Sequence, residues 1–288
     1  MWHIRFVLPP WLIGAFVFVF GLIIGSFLNV CILRIPAEKS IVAPASACPK
    51  CGTPIRPYDN IPVVSWLLLC GRCRKCKNPI SAMYPAVELL TGLLFFACFE
   101  AFGISFEALK WAAFSAILLV LVFTDLRERL LPDVVNFTGF AIGLVASLFV
   151  TPADGTAAWL ANRVFDFPPP APVISLTDAL IGAAFGSGVL WLVSEAYFRL
   201  RGREGMGLGD VKMMLMAGAF LGIKRTFLTI FAGAMLGSVI GVIFIVARRK
   251  DSSTYELPFG TFLGAAALLV VFFGTPVINW YQSLLAVR

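Results

Sequence analysis

Apolar residues in this chain run in blocks too long and too unbroken for the one-sided stripe of a soluble amphipathic helix. Crossing about 30 Å of hydrocarbon at about 1.5 Å per residue takes around 20 residues. Eight segments approach that length: 9 to 33, 85 to 103, 108 to 125, 134 to 151, 178 to 198, 210 to 223, 226 to 247 and 257 to 281, the second, third and sixth being short. Pro132, Pro152, Pro168 to Pro170 and Pro258 punctuate the gaps. The pattern predicts an all-α polytopic membrane protein of about eight transmembrane helices. Gly182 and Gly186, and Gly233, Gly237 and Gly241, recur every four residues, a spacing that lets membrane helices pack closely.

Composition agrees: 59% of the 288 residues are hydrophobic, 14% are charged and the mean hydropathy is +0.90. The net charge of +7 reports topology rather than nucleic acid. Arg34, Lys39, Lys50, Arg56, Arg72, Arg74, Lys75 and Lys77 lie between the first two runs. With eight spans, Arg127, Arg129, Arg199, Arg201, Arg203, Lys212, Arg248, Arg249 and Lys250 share their side, making 17 of the 23 basic residues. The positive-inside rule then puts segment 34 to 84 in the cytoplasm and both termini outside. The first run has no basic region before it beyond Arg5 and no A-x-A-like site, so it reads as a retained span. The single histidine, His3, excludes Ser-His-Asp, Cys-His and zincin chemistry, each of which needs imidazole.

Two cysteines, Cys31 and Cys98, fall in apolar runs and read as inert core. In segment 34 to 84, Cys48-Pro-Lys-Cys51 and Cys73-Arg-Lys-Cys76 form two C-x2-C knuckles. Four thiolates make a closed structural Zn2+ site, and a polar segment of this length needs such a staple. Cys70, three residues before Cys73, is an alternative to Cys76. The expected division is a first helix at 1–33, a zinc-ribbon-like cytoplasmic domain at 34–84 and a membrane domain of seven helices at 85–288.

Ionisable residues at the ends of spans are functional candidates. Asp125, in Phe123-Thr124-Asp125-Leu126-Arg127, and Asp210, ending Gly205-Met206-Gly207-Leu208-Gly209-Asp210, fall on the same side. Two carboxylates facing one water can hydrolyse an amide without histidine, one donating a proton and the other activating the water. Helix dipoles give Asp125, at a C-terminal end, the acid role, and Asp210, at an N-terminal end, the base role. The bland alternatives are that Asp210 caps a helix and that Asp133, after Pro132, caps another. The glycines before Asp210 are no phosphate loop, because GKS/T is absent.

Gly25-Ser26-Phe27-Leu28-Asn29-Val30 with Arg34 and Pro36, the two knuckles, Asp59-Asn60-Ile61-Pro62, Ser65-Trp66, Tyr84-Pro85 and Glu88 together resemble bacterial type IV prepilin peptidases. The Asp125 to Asp133 stretch, G-x-G-D ending at Asp210 with Lys212, and Leu257-Pro258-Phe259-Gly260 extend that resemblance over nearly the whole chain. It implies an inner-membrane enzyme with two activities. Such enzymes cut the basic leader from type IV prepilins or type II secretion pseudopilins at the cytoplasmic surface. They then methylate the new N-terminus with S-adenosylmethionine. The family's catalytic pair carries over to Asp125 and Asp210, and its zinc-type ligands to Cys48, Cys51, Cys73 and Cys76. Glu88 and Gly92 match a stretch associated with methyl transfer, although no Rossmann-type glycine motif is present. Met83 stands where a basic residue is frequent before Tyr-Pro, and Thr261 where Pro is common after Phe-Gly. Glu128, Asp133 and Glu204 are acids that can receive a basic leader. The alternatives are a peptidase-only G-x-G-D protease, a proton-coupled transporter and a non-catalytic zinc-bearing assembly factor. No repeated halves support a transporter, and both aspartates sit at one surface rather than the midplane.

Overall fold

A computed structural model describes residues 9–150, 155–164, 169–203, 205–248 and 258–286. His3, Glu204 and Leu257 lie outside the described residues. The described elements are helical: α1 Pro10–Arg34, α2 Val64–Leu68, α3 Met83–Phe102, α4 Phe106–Glu128, α5 Asp133–Ser147, α6 Thr156–Val164, α7 Ala171–Arg201, α8 Leu208–Arg248 and α9 Phe259–Ala286, with a 3-10 turn at Pro57–Asp59. No strand occurs among the described residues, only two isolated bridges. In hydrocarbon a helix satisfies its backbone internally, which is why apolar runs of this length take that form.

Local signals set the ends. Pro10 occupies the first position of α1, where its missing N–H costs nothing. Gly202, at φ 64° and ψ 19°, closes α7 in the left-handed cap that glycine adopts without strain. Six helices are long and apolar enough to cross a membrane: α1, α3, α4, α7, α8 and α9. Gly222, at φ 72° and ψ 179°, breaks α8 where the sequence separates its sixth and seventh runs, and α5 is a shorter apolar helix of 15 residues. Those two features carry the expected count of about eight. Trp11, Phe16, Phe20, Val239, Ile243 and Phe273 point outward from their helices, an arrangement stable only against lipid. The protein is a multi-pass membrane protein.

The chain forms two compact units, Met1–Val120 and Leu121–Arg288. In the first, α1 packs on α3 so closely that a methyl on Gly21 would lie 2.8 Å from Gly92 Cα. The segment between these helices folds as two matching knuckles. Gly52 N–H returns to Cys48 O (2.9 Å) and Lys77 N–H to Cys73 O (3.0 Å), while Cys48 N–H and Cys73 N–H reach Thr53 O and Asn78 O. Asp59 accepts a forked pair from Arg74 at 2.6 to 3.1 Å, which fastens the second knuckle to the Pro57–Asp59 turn.

In the second unit α8 is central, contacting α5, α7 and α9. A methyl on Gly182 or Gly186 of α7 would overlap backbone carbonyls of α8, so the four-residue glycine spacing is a packing device. The core here includes the fully buried Met213, Met214, Met216, Phe220 and Leu263.

Candidate active site

Asp125 lies in the last turn of α4. Arg129, at φ 53°, ends that helix and returns its N–H to Asp125 O (2.9 Å), which fixes the backbone below the carboxylate. Asp210 lies in the first turn of α8, two residues after its start, with its N–H on Gly207 O (3.1 Å). Both side chains are buried, at 5% and 8% exposure. Charged groups withdrawn that far persist only with partners or with a proton.

The two meet beside Gly260 in the first turn of α9. The point where a β-carbon would stand on Gly260 is 2.9 Å from Asp210 Oδ1 and 3.1 Å from Asp125 Oδ2. Those oxygens are therefore at most about 6 Å apart, so a reacting atom placed between them, clear of Gly260, can touch both. The side chain of Leu131 closes another side of this position and packs on Gly209. Asp125 Oδ2 accepts hydrogen bonds from Thr261 N–H (2.7 Å) and Thr261 Oγ1–H (2.8 Å). Thr261 is the retaining partner that a carboxylate at a helix C-terminus requires, and no local pattern around Asp125 announces it. The signal available was Pro258-Phe259-Gly260 before an apolar run, a helix start with amides to spare for an acid.

Asp133 does not cap α5. Pro132 occupies the capping position, and both Asp133 oxygens instead accept Lys212 Nζ (2.7 and 2.8 Å), joining the starts of α5 and α8. Glu128 lies 3.5 Å from the Arg127 guanidinium.

Cys48, Cys51, Cys73 and Cys76 come together, each offering one sulfur with all four inside 4.8 Å of one another, and Cys70 is outside the group. Tetrahedral zinc at about 2.3 Å from each sulfur requires sulfurs about 3.8 Å apart. The Cys48 and Cys76 sulfurs are 3.8 Å apart. The residues fit Zn2+. Hydrogen bonding to Thr53 pulls the Cys51 thiol down to about 6, favouring the thiolate that ligates metal.

Glu88 is buried in the first turns of α3. It accepts Val63 N–H (2.7 Å) and has the Ser26 hydroxyl within reach, and Val63 is held at φ 61°, a costly conformation for a β-branched residue. A cavity of about 300 Å³ opens next to Ser26, lined also by Ile23, Phe27, Val30, Ser46, Asn60 and Pro62. Gly92 faces α1, where a methyl would meet Leu22 and Phe18, so close helix approach requires a glycine there.

Comparison with known proteins places this geometry in context. Residues 112–242 match the family model of the type IV leader peptidase family, and residues 19–102 that of the bacterial peptidase A24 N-terminal domain. The prepilin leader peptidase/N-methyltransferase of Aeromonas hydrophila is 35% identical, the match covering 95% of each chain. That of Myxococcus xanthus is 37% identical over 85% of this chain and 67% of its own, and that of Pseudomonas aeruginosa 35% identical over 91% and 90%. No solved structure matches.

Proposed function

The chain belongs to the type IV leader peptidase family, and we propose that it removes the leader from type IV prepilins or type II secretion pseudopilins with Asp125 and Asp210 as the catalytic pair. The observation that carries this is the approach of two buried carboxylates, Asp125 and Asp210, to within about 6 Å of each other beside Gly260. One ionised carboxylate takes a proton from water as the water oxygen bonds to the scissile carbonyl carbon. The other, protonated, gives its proton to the carbonyl oxygen. The gem-diol then collapses: one of its hydroxyls loses its proton to the second carboxylate as C=O re-forms, the C–N bond breaks, and the nitrogen takes the proton from the first carboxyl group. The products are a free leader carboxylate and a new N-terminal amine. With the aspartates at helix ends, a substrate that leaves its apolar helix in the bilayer and its basic leader in water presents its scissile bond at the right depth. Glu128 and Asp133 already face basic partners, which favours reading them as counter-charges.

We place the enzyme in the inner membrane, as the family implies, with a cytoplasmic site and termini on the far side, as the basic-residue distribution supports, and we divide the chain into a first transmembrane helix at 1–33, a four-cysteine zinc domain at 34–84 and a membrane domain carrying the protease site at 85–288. Zinc at Cys48, Cys51, Cys73 and Cys76 is structural, since four thiolates leave no open position. For the methyl-transfer half, Glu88 is the candidate, a buried carboxylate beside a cavity, while Gly92 contributes packing. S-adenosylmethionine supplies the methyl group of that reaction. Glu88 can hold charge or a proton near the arriving amine.

The test combines purified protein, a prepilin and labelled S-adenosylmethionine. A shortened, labelled product is expected. An unlabelled shortened product removes the methyltransferase half, and an uncut precursor removes both.

A further inference from the structure

We propose that Thr261 is the positioning residue of the aspartate pair: its two hydrogen bonds hold the negative charge on Asp125 and leave the shared proton to Asp210. The proposal rests on the peptidase reading above and states which aspartate performs which half of the chemistry. The backbone N–H and the hydroxyl of Thr261 both end on the same atom, Asp125 Oδ2, at 2.7 and 2.8 Å. These are the lengths of charge-assisted bonds, and two donors on one oxygen suit a carboxylate better than a protonated acid. The amide is among the first four of α9, which have no partner within the helix, so its use on Asp125 competes with nothing. The same helix start brings the positive end of its dipole to the carboxylate.

Asp210 receives nothing comparable. Among the described residues no side chain donates to its oxygens, and the charged group facing it is Asp125. From α4, Arg129 adds positive charge on the Asp125 side; from α9 the facing group is the uncharged Thr261; from α8, Lys212 is turned to Asp133. Two buried carboxylates at most about 6 Å apart disfavour ionising together, so one of them keeps a proton. With Thr261 on one of them, Asp125 takes the proton of the attacking water and Asp210 gives its proton to the carbonyl oxygen. This order is opposite to the one that the ends of α4 and α8 suggest alone. Direct donors at 2.7 and 2.8 Å outweigh a dipole acting through an axis, and no donor of this kind is visible in the local sequence around Asp125.

The experiment measures kcat and KM for prepilin cleavage by the full-length wild type, Thr261→Val, Thr261→Ser and Asp125→Asn. Valine keeps the amide and the branched shape and removes the hydroxyl donor. Its kcat should fall about 10- to 100-fold, the effect of one hydrogen bond to a charged group, with KM within about twofold. Serine keeps both donors and should recover most of the lost kcat. A Thr261→Val enzyme with wild-type kcat, or a Thr261→Ser enzyme as slow as Thr261→Val, overturns the role of Thr261 while Asp125-dependent cleavage leaves the peptidase reading intact. Asp125→Asn that still cleaves at the wild-type rate, or wild type that does not cleave, overturns the peptidase reading and this proposal with it.

Discussion

Replacing Gly260 with alanine pushes a methyl group against both carboxylates of the pair. The added carbon would stand 2.9 Å from Asp210 Oδ1, 3.1 Å from Asp125 Oδ2 and 2.8 Å from Leu131 Cδ1. The methyl therefore crowds both carboxylates and Leu131, and the carboxylates must retreat by several tenths of an ångström to reach ordinary contact distance. Misplacement of reacting groups by about 1 Å costs on the order of 100-fold, and loss of a positioned acid or base costs about 100- to 10,000-fold. At about 1.4 kcal/mol per tenfold, a fall of at least 100-fold in kcat/KM means about 2.7 kcal/mol of lost transition-state stabilisation. Folding should survive. Gly260 is not in the left-handed region, and alanine is favoured over glycine in a helix by about 1 kcal/mol, which offsets part of the crowding. The assay follows leader release by gel mobility alongside thermal unfolding of the same preparation. A Gly260→Ala enzyme that cleaves within about threefold of wild type at unchanged Tm refutes the requirement for an undisturbed carboxylate pair beside Gly260.

Other consequences follow from the same residues. Cys73→Ser leaves three thiolates, so metal analysis should fall from one zinc per chain toward none, and the 34 to 84 segment should become protease-sensitive. Glu88→Gln should leave leader removal within about twofold of wild type and abolish label transfer from S-adenosylmethionine; equal loss of both would assign Glu88 a structural role. Lys212→Ala breaks an ion pair whose side chains are 34% and 56% exposed, so it should lower stability by under about 1 kcal/mol after solvent screening, measured as a small shift in Tm.

What was legible in the sequence was local or periodic. Apolar runs announce helices because each run alone satisfies its backbone and faces lipid, and the glycine break inside α8 shows as the gap between runs 210 to 223 and 226 to 247. The two knuckles are equally local, since each is closed by hydrogen bonds within six residues. Glycines at four-residue spacing could be read as packing before their partners were known. Asp133 misled because Asp after Pro at a helix start suits a cap, whereas the deciding partner, Lys212, is 79 positions away. The proposed active site was legible in its two acids and not in what governs them. Thr261 reaches Asp125 across 136 positions, and although Pro258-Phe259-Gly260 marks a helix start with spare amides, nothing near it says which acid they meet. Gly260 was visible as part of a motif, but its function is to leave a space, and a space between three helices has no signature in one of them.

The central claim is that Asp125 and Asp210 together cut prepilins. Its most direct measurement is the rate of leader release from a purified prepilin by wild type, Asp125→Asn and Asp210→Asn, each checked for folding by its zinc content and Tm. The account predicts cleavage by wild type and a loss of at least about 1,000-fold in each variant, because a pair that must both donate and accept fails when either member is neutralised. Cleavage by either folded variant at a rate near wild type would contradict it.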